Sequence, residues 1–234
     1  MIYKKFFVCL IFISICFGKA QIYSLDADAY RSKFAAHYFE ALRYVNKIKP
    51  LLYNKLQDQF LTDIGIAVIF PELTRYSFIR NIAETKVLEF SYVVGGHVDF
   101  SVGMMQMKPS FAGQLELDAD EYCKINYPEL FKSGDDEQAN RGLRISRLKN
   151  LNHQVEYLSV FLHIMGDKYP KLAADPLKMV SIFSAAYNSG YDKTFEELEQ
   201  NALKYYFPYG KNRKGEQYSY TEIAVDYYKK IARH

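Results

Sequence analysis

The chain has 234 residues, 49% of them hydrophobic, with 21 Tyr, no Trp and a formal net charge of +3. The charge surplus lies wholly in the first twenty residues, which hold Lys4, Lys5 and Lys19 and no acid. Without them the chain is neutral, so its pI near 8.5 gives no reason to expect a nucleic-acid partner. Of the 3 cysteines only Cys123 lies beyond residue 20, which excludes an internal disulfide in an exported chain and leaves stability to a packed core.

In chain order, the first element is an export segment. Lys4 and Lys5 precede the apolar run FFVCLIFISICF (Phe6 to Phe17), and Gly18-Lys19-Ala20 offers small residues at a cleavage site. The reading is a signal peptide over 1–20, cleaved after Ala20, with an uncleaved membrane anchor as the alternative. The protein is then exported, periplasmic or secreted, and residues 21–234 form a single domain.

Helical periodicity runs through almost all of that domain. Tyr30, Phe34, Tyr38, Ala41, Val45 and Ile48 recur at three or four residues, and Pro50 interrupts them. Leu51 to Phe70 resumes the pattern and ends in IGIAVIF, apolar on all sides and so central to the core. Pro71 is expected to break or kink that helix. A helix over about 78–92 ends at Gly95-Gly96, and 93–102 (VVGGHVDFSV) reads as a short β-hairpin or ordered loop. A helix is expected to open after it, and another to start near Pro109. Residues 133–142 (SGDDEQANRG) read as a polar surface loop.

The clearest helix carries Leu148, Leu151, Val155, Leu158, Leu162 and Met165 at steps of three and four. Asp175-Pro176 caps and starts the next one, and Gly190 stops it. Residues 194–206 read as helix, 207–220 as a Tyr- and Lys-rich loop, and 221–231 as the last helix. The fold class expected is mostly α.

Three places stand out chemically. Glu72 follows IGIAVIFP, so a buried apolar helix delivers it at its C-terminal end. Burial raises a carboxyl pKa, as a general acid near neutral pH requires; otherwise it is a helix-end Glu facing water. In SVGMMQMKPSFA (Ser101 to Ala112), Gly103 allows a close backbone approach and Gln106 offers a donor and an acceptor to sugar hydroxyls or an acetamido group. The plain alternative there is a Met-filled core face. In SAAYNSG (Ser184 to Gly190), small residues allow close helix packing, Tyr187 supplies a phenol and Asn188 sits at the helix end. The histidines lack metal-ligand spacing, so no metal is expected.

In this order, Pro71-Glu72-Leu73, Gly103-Met104-Met105-Gln106 with Pro109, Asn150-Leu151 with Tyr157-Leu158, and Ala186-Tyr187-Asn188-Ser189-Gly190 resemble the lysozyme-like lytic transglycosylases related to goose-type lysozyme. Glu222 with Tyr227 or Tyr228 matches the terminal signature, and the resemblance covers about 60–230. The chain departs from the family at Leu73 (usually Ser), at Lys108 (often Met) and at Gln154 (usually Gly). Glu72 lies 31 residues before Gly103, about twice the usual gap, whereas Glu89 lies 14 before it. Glu89 is therefore a rival for the catalytic position.

The resemblance implies a lysozyme-like α domain that cleaves the β-1,4 bond between N-acetylmuramic acid and N-acetylglucosamine in peptidoglycan. It implies Glu72 as a single catalytic acid and then base, forming a 1,6-anhydro product, with Ser101, Gln106, Tyr187 and Asn188 binding the glycan. Asp99, just before the Gln motif, would favour a hydrolytic outcome if it faces Glu72; a non-catalytic glycan-binding protein of the same fold is the third reading. No cofactor is expected, and the partner implied is the peptidoglycan glycan strand, bound by a monomer that can associate with a membrane or cell-wall complex.

Overall fold

The computed structural model describes residues 27–79, 85–96, 99–211 and 215–231. The expected export segment, residues 80–84 of the helix expected over 78–92, and His97 lie outside the described residues. The fold is mostly α, as the periodicity requires. After helical residues 27–33 come α1 (Ala35–Leu56), α2 (Gln59–Ile79), α3 (Thr85–Gly95), α4 (Pro109–Asp118), α5 (Glu121–Asn126), α6 (Glu137–Lys149) and α7 (Leu151–Lys168). They are followed by α8 (Pro176–Ser189), α9 (Phe195–Ala202), a two-stranded antiparallel sheet of β1 (Tyr205–Phe207) and β2 (Tyr218–Ser219), and α10 (Tyr220–Ile231).

Helix α2 is the central post. Ile64, Ile66, Ala67, Val68, Ile69, Phe70 and Leu73 are all buried, which is what an all-apolar helix surface demands. It packs against α1, α7, α8 and α10. At Gly65 three helices meet closely: a Cβ there would lie 2.7 Å from Leu162 Cδ1 of α7 and 2.9 Å from Leu52 Cδ2 of α1. The Phe70 ring stacks on Tyr227 of α10 at 4.1 Å and meets the edge of Tyr38 at 4.8 Å.

Neither proline ends a helix, so the interruption expected at Pro50 and the break expected at Pro71 are overturned. Pro50 lies inside α1 and Pro71 inside α2. Each withholds an N–H from the carbonyl four residues back, a loss of about 3 kcal/mol in an isolated helix interior. In α2 the buried flanks Val68 to Phe70 and Leu73 hold the helix through that defect. Glu72 therefore stands within α2, about two turns before its end, not at a helix terminus.

Other boundaries also move. Residues 103–106 form a tight turn closed by a Val102–Met107 bridge, so the helix expected to open after residue 102 is replaced by that turn, and the hairpin or loop expected over 93–102 is helical as far as Gly95. Helix α6 begins within the expected surface loop, because Asp136 accepts the Ala139 N–H and caps it. The helix expected over 194–206 ends at Ala202, and the segment beyond it supplies the sheet. By contrast, Asp175 caps α8 with Pro176 in its first turn, and Gly190 ends it at φ +98°.

Candidate active site

The cleft forms where α2, the 99–108 loop, the C-terminal end of α8 and the segment after β1 meet. It encloses about 510 Å³ and is lined by Glu72, Asp99, Ser101, Gln106, Tyr187 and Asn188 among others. Six of the residues singled out in the sequence thus share one cavity. Glu89 does not: it pairs with Lys149 at 2.5 Å and is absent from the cleft wall. Glu222 is buried behind β1, where its carboxylate accepts the Tyr205 hydroxyl at 2.5 Å.

Glu72 is 5% exposed. Burial pushes its carboxyl above the ordinary glutamate range, and the opposing pull of Arg75 and Lys108 does not cancel it. Arg75, one turn along α2, donates to Glu72 Oε2 at 3.3 Å. Tyr220 of α10 donates to the Val68 carbonyl at 2.9 Å, three residues before Pro71. Helix α2 thus supplies both the buried setting of the carboxyl and its guanidinium partner.

The opposite wall is a strained turn. Gly103 has φ +70° and Gln106 has φ +50°, a left-handed conformation uncommon for a residue with a side chain. Gln106 Nε2 donates back to the Gly103 carbonyl at 2.7 Å, leaving a buried Oε1 with no hydrogen-bond partner among the described residues. A buried acceptor left open costs free energy unless a ligand donor fills it. The Tyr187 hydroxyl donates to the Met105 carbonyl at 2.9 Å, so α8 braces the same turn. Its phenol is held well above the usual range by burial and then by the neighbouring Glu72.

Gln154 is the residue whose role sequence reasoning missed. From α7 its Oε1 accepts the Met105 N–H at 3.0 Å, and its Nε2 donates to the carbonyls of Leu148 and, at 3.4 Å, Val102. One amide fixes both ends of the turn. The clue available in the sequence was the departure from glycine at this position, which introduces a polar side chain beside Gly103.

The 31-residue separation of Glu72 from Gly103 is also accounted for. It contains the last turns of α2 and all of α3, whose end is clamped by α6. Arg141 donates to the Val93 carbonyl at 2.9 Å, and Arg144 to the Tyr92 hydroxyl at 2.9 Å and to Glu116 of α4 at 2.6 Å. The excursion therefore returns the chain to the cleft at residue 99.

Asp99 is partly engaged: it accepts the Ser110 N–H at 3.3 Å and faces Lys108 Nζ at 3.5 Å. Asn188 lies exposed at the rim. Tyr206 and Tyr209, each somewhat over a third exposed, close the far side with Pro208. Flat, half-exposed rings of this kind suit the apolar faces of sugar rings. Chemically, the cleft offers a carboxyl kept protonated to higher pH than usual, a wall carrying the Gln106 amide and an aromatic rim. Comparison with family models, with curated proteins and with solved structures finds no match for this chain.

Proposed function

We propose that the chain is a peptidoglycan lytic transglycosylase of lysozyme-like fold, exported to act on glycan strands. The observation that carries this reading is Glu72, a carboxyl buried in the cleft facing the Gln106 turn, its proton affinity raised by that burial. In this mechanism protonated Glu72 gives its proton to the glycosidic oxygen as the C1–O bond of the muramyl residue breaks. The resulting Glu72 carboxylate then removes the proton of the muramyl C6 hydroxyl, whose oxygen bonds to C1. The carboxyl is regenerated and no water is consumed. Gln106 Oε1 accepts from an acetamido N–H or a hydroxyl, while Tyr187 holds the turn that carries it.

Asp99 lines the same cleft and supports a second reading, a muramidase in which water attacks C1. Digestion of purified sacculi followed by mass spectrometry separates the readings. Anhydromuropeptides are expected; reducing ends would favour the muramidase, and no released product would leave a glycan-binding protein.

The pH profile supplies a further test. Glu72 must be protonated to act as the acid, so activity is expected to fall as pH rises through its elevated pKa. Arg75 holds that pKa down. Arg75→Ala is therefore expected to move the alkaline limb of kcat/KM to higher pH. An unmoved limb would mean that Glu72 is not the titrating acid.

A further inference from the structure

A second cluster lies outside the cleft, between the short helix α5 and the C-terminal half of α7. Asp120 and Cys123 stand three residues apart at the start of α5, and His163 and Asp167 four apart on one face of α7. The ligand atoms of Asp120, Cys123 and His163 all lie within 4.8 Å of one another. His163 Nε2 is 2.9 Å from Asp120 Oδ2 and 3.5 Å from Asp167 Oδ2, so the imidazole nitrogen points between two carboxylates. The other Asp120 oxygen accepts the Cys123 N–H at 2.9 Å and so fixes the first turn of α5. Tyr122 stacks on the His163 ring at 5.0 Å, setting its orientation. Cys123 is buried with a free thiol.

From this juxtaposition we propose that Asp120, Cys123, His163 and Asp167 form a binding site for a zinc-class divalent ion that pins α5 to α7. Residues three or four apart share one helix face, so two facing helices can turn two such pairs toward a single ion. The donor set selects the metal. One sulfur and one imidazole favour zinc over magnesium or calcium, and two carboxylates complete a four-coordinate shell. Loading releases the Cys123 thiol proton to solvent and displaces the hydrogen bond between His163 and Asp120. The individual histidines gave no such signal in the sequence, because the two pairs are forty residues apart and meet only through the fold. None of the four residues lines the cleft, so the site is structural.

The full exported chain is equilibrated with Zn²⁺, passed through gel filtration and assayed for bound metal, in parallel with a Co²⁺-loaded sample read by absorption. One equivalent of zinc, a rise in Tm with zinc, and a thiolate-to-cobalt charge-transfer band are expected. His163→Ala and the exposed Asp167→Asn should weaken binding at least about 10-fold, the scale seen when metal-site partners are removed. Cys123→Ser should remove the charge-transfer band, and His153→Ala, a histidine elsewhere on α7, should change nothing. The proposal is overturned if wild type retains no more zinc than His163→Ala, or if the band survives in Cys123→Ser. Because Asp167 lies at the surface, its variant keeps the test decisive even if the buried cysteine cannot be replaced without unfolding the chain.

Discussion

Glu72→Gln is expected to lose about 10³-fold or more in glycan cleavage while melting at a higher temperature than wild type at neutral pH. The activity loss follows from removing the only proton donor that the mechanism uses; positioned acid–base groups contribute about 10²–10⁴-fold. The stability gain follows from linkage. Burial raises the Glu72 pKa in the folded state, so folding binds a proton more tightly than the unfolded chain does. That contribution is complete below the unfolded carboxyl range, about pH 4.3. It is lost as pH rises through the folded value, above which a charged carboxylate sits in an apolar wall. Glutamine imitates the neutral form at every pH. The variant should gain roughly 0.5–2 kcal/mol at pH 7, a common gain when an active-site compromise is removed. The gain should shrink toward zero near pH 4. Thermal melts from pH 4 to 8 beside sacculus digestion check both halves. Activity surviving in Glu72→Gln but lost in Glu89→Gln would move the catalytic role to the rival, against its pairing with Lys149.

The sequence made the helices legible where amphipathic spacing and end signals agreed. Helix α7 has its apolar residues at steps of three and four, and α8 has Asp175, Pro176 and Gly190 where caps belong. The prolines misled because a propensity acts locally, whereas α2 is held by burial against four other helices. The sheet was hidden because β1 and β2 together hold five residues, too few to display an alternation. Helix α6 had its cap in plain sight at Asp136, yet the polarity around it reads as loop. In the site, Glu72, Gln106 and Tyr187 could be named because motifs carry them. The roles of Gln154 and Lys108 could not be read, since their significance lies in what they touch. Gln154 reaches a turn about fifty residues back along the chain, and no local spacing encodes that contact.

The second large effect concerns that turn, and Gly103→Ala is expected to destabilise the fold by about 3 kcal/mol or more. Two costs combine. At φ +70° any side chain is strained, by roughly 1–2 kcal/mol. A Cβ would also stand 1.4 Å from Gln154 Nε2 and 2.4 Å from the Leu148 carbonyl oxygen, so the amide that fixes the turn must leave. Its departure strands the Met105 N–H and removes a donor from the Leu148 carbonyl, and an unmet buried polar group costs about 1–3 kcal/mol. Pairing the change with Gln154→Gly separates these contributions. The double variant relieves the clash with the amide but keeps the backbone strain and the approach to the Leu148 carbonyl. Its destabilisation should therefore fall short of the sum of the two single changes by about 1 kcal/mol or more, a coupling typical of residues in contact. Strict additivity in denaturant unfolding would show that Gln154 does not hold the turn. Glycan affinity reports the functional side: if the turn presents Gln106 Oε1, Gly103→Ala should weaken binding even in the fraction that stays folded, whereas Glu72→Gln should leave binding largely intact. That contrast distinguishes a wall that positions the strand from the acid that cuts it.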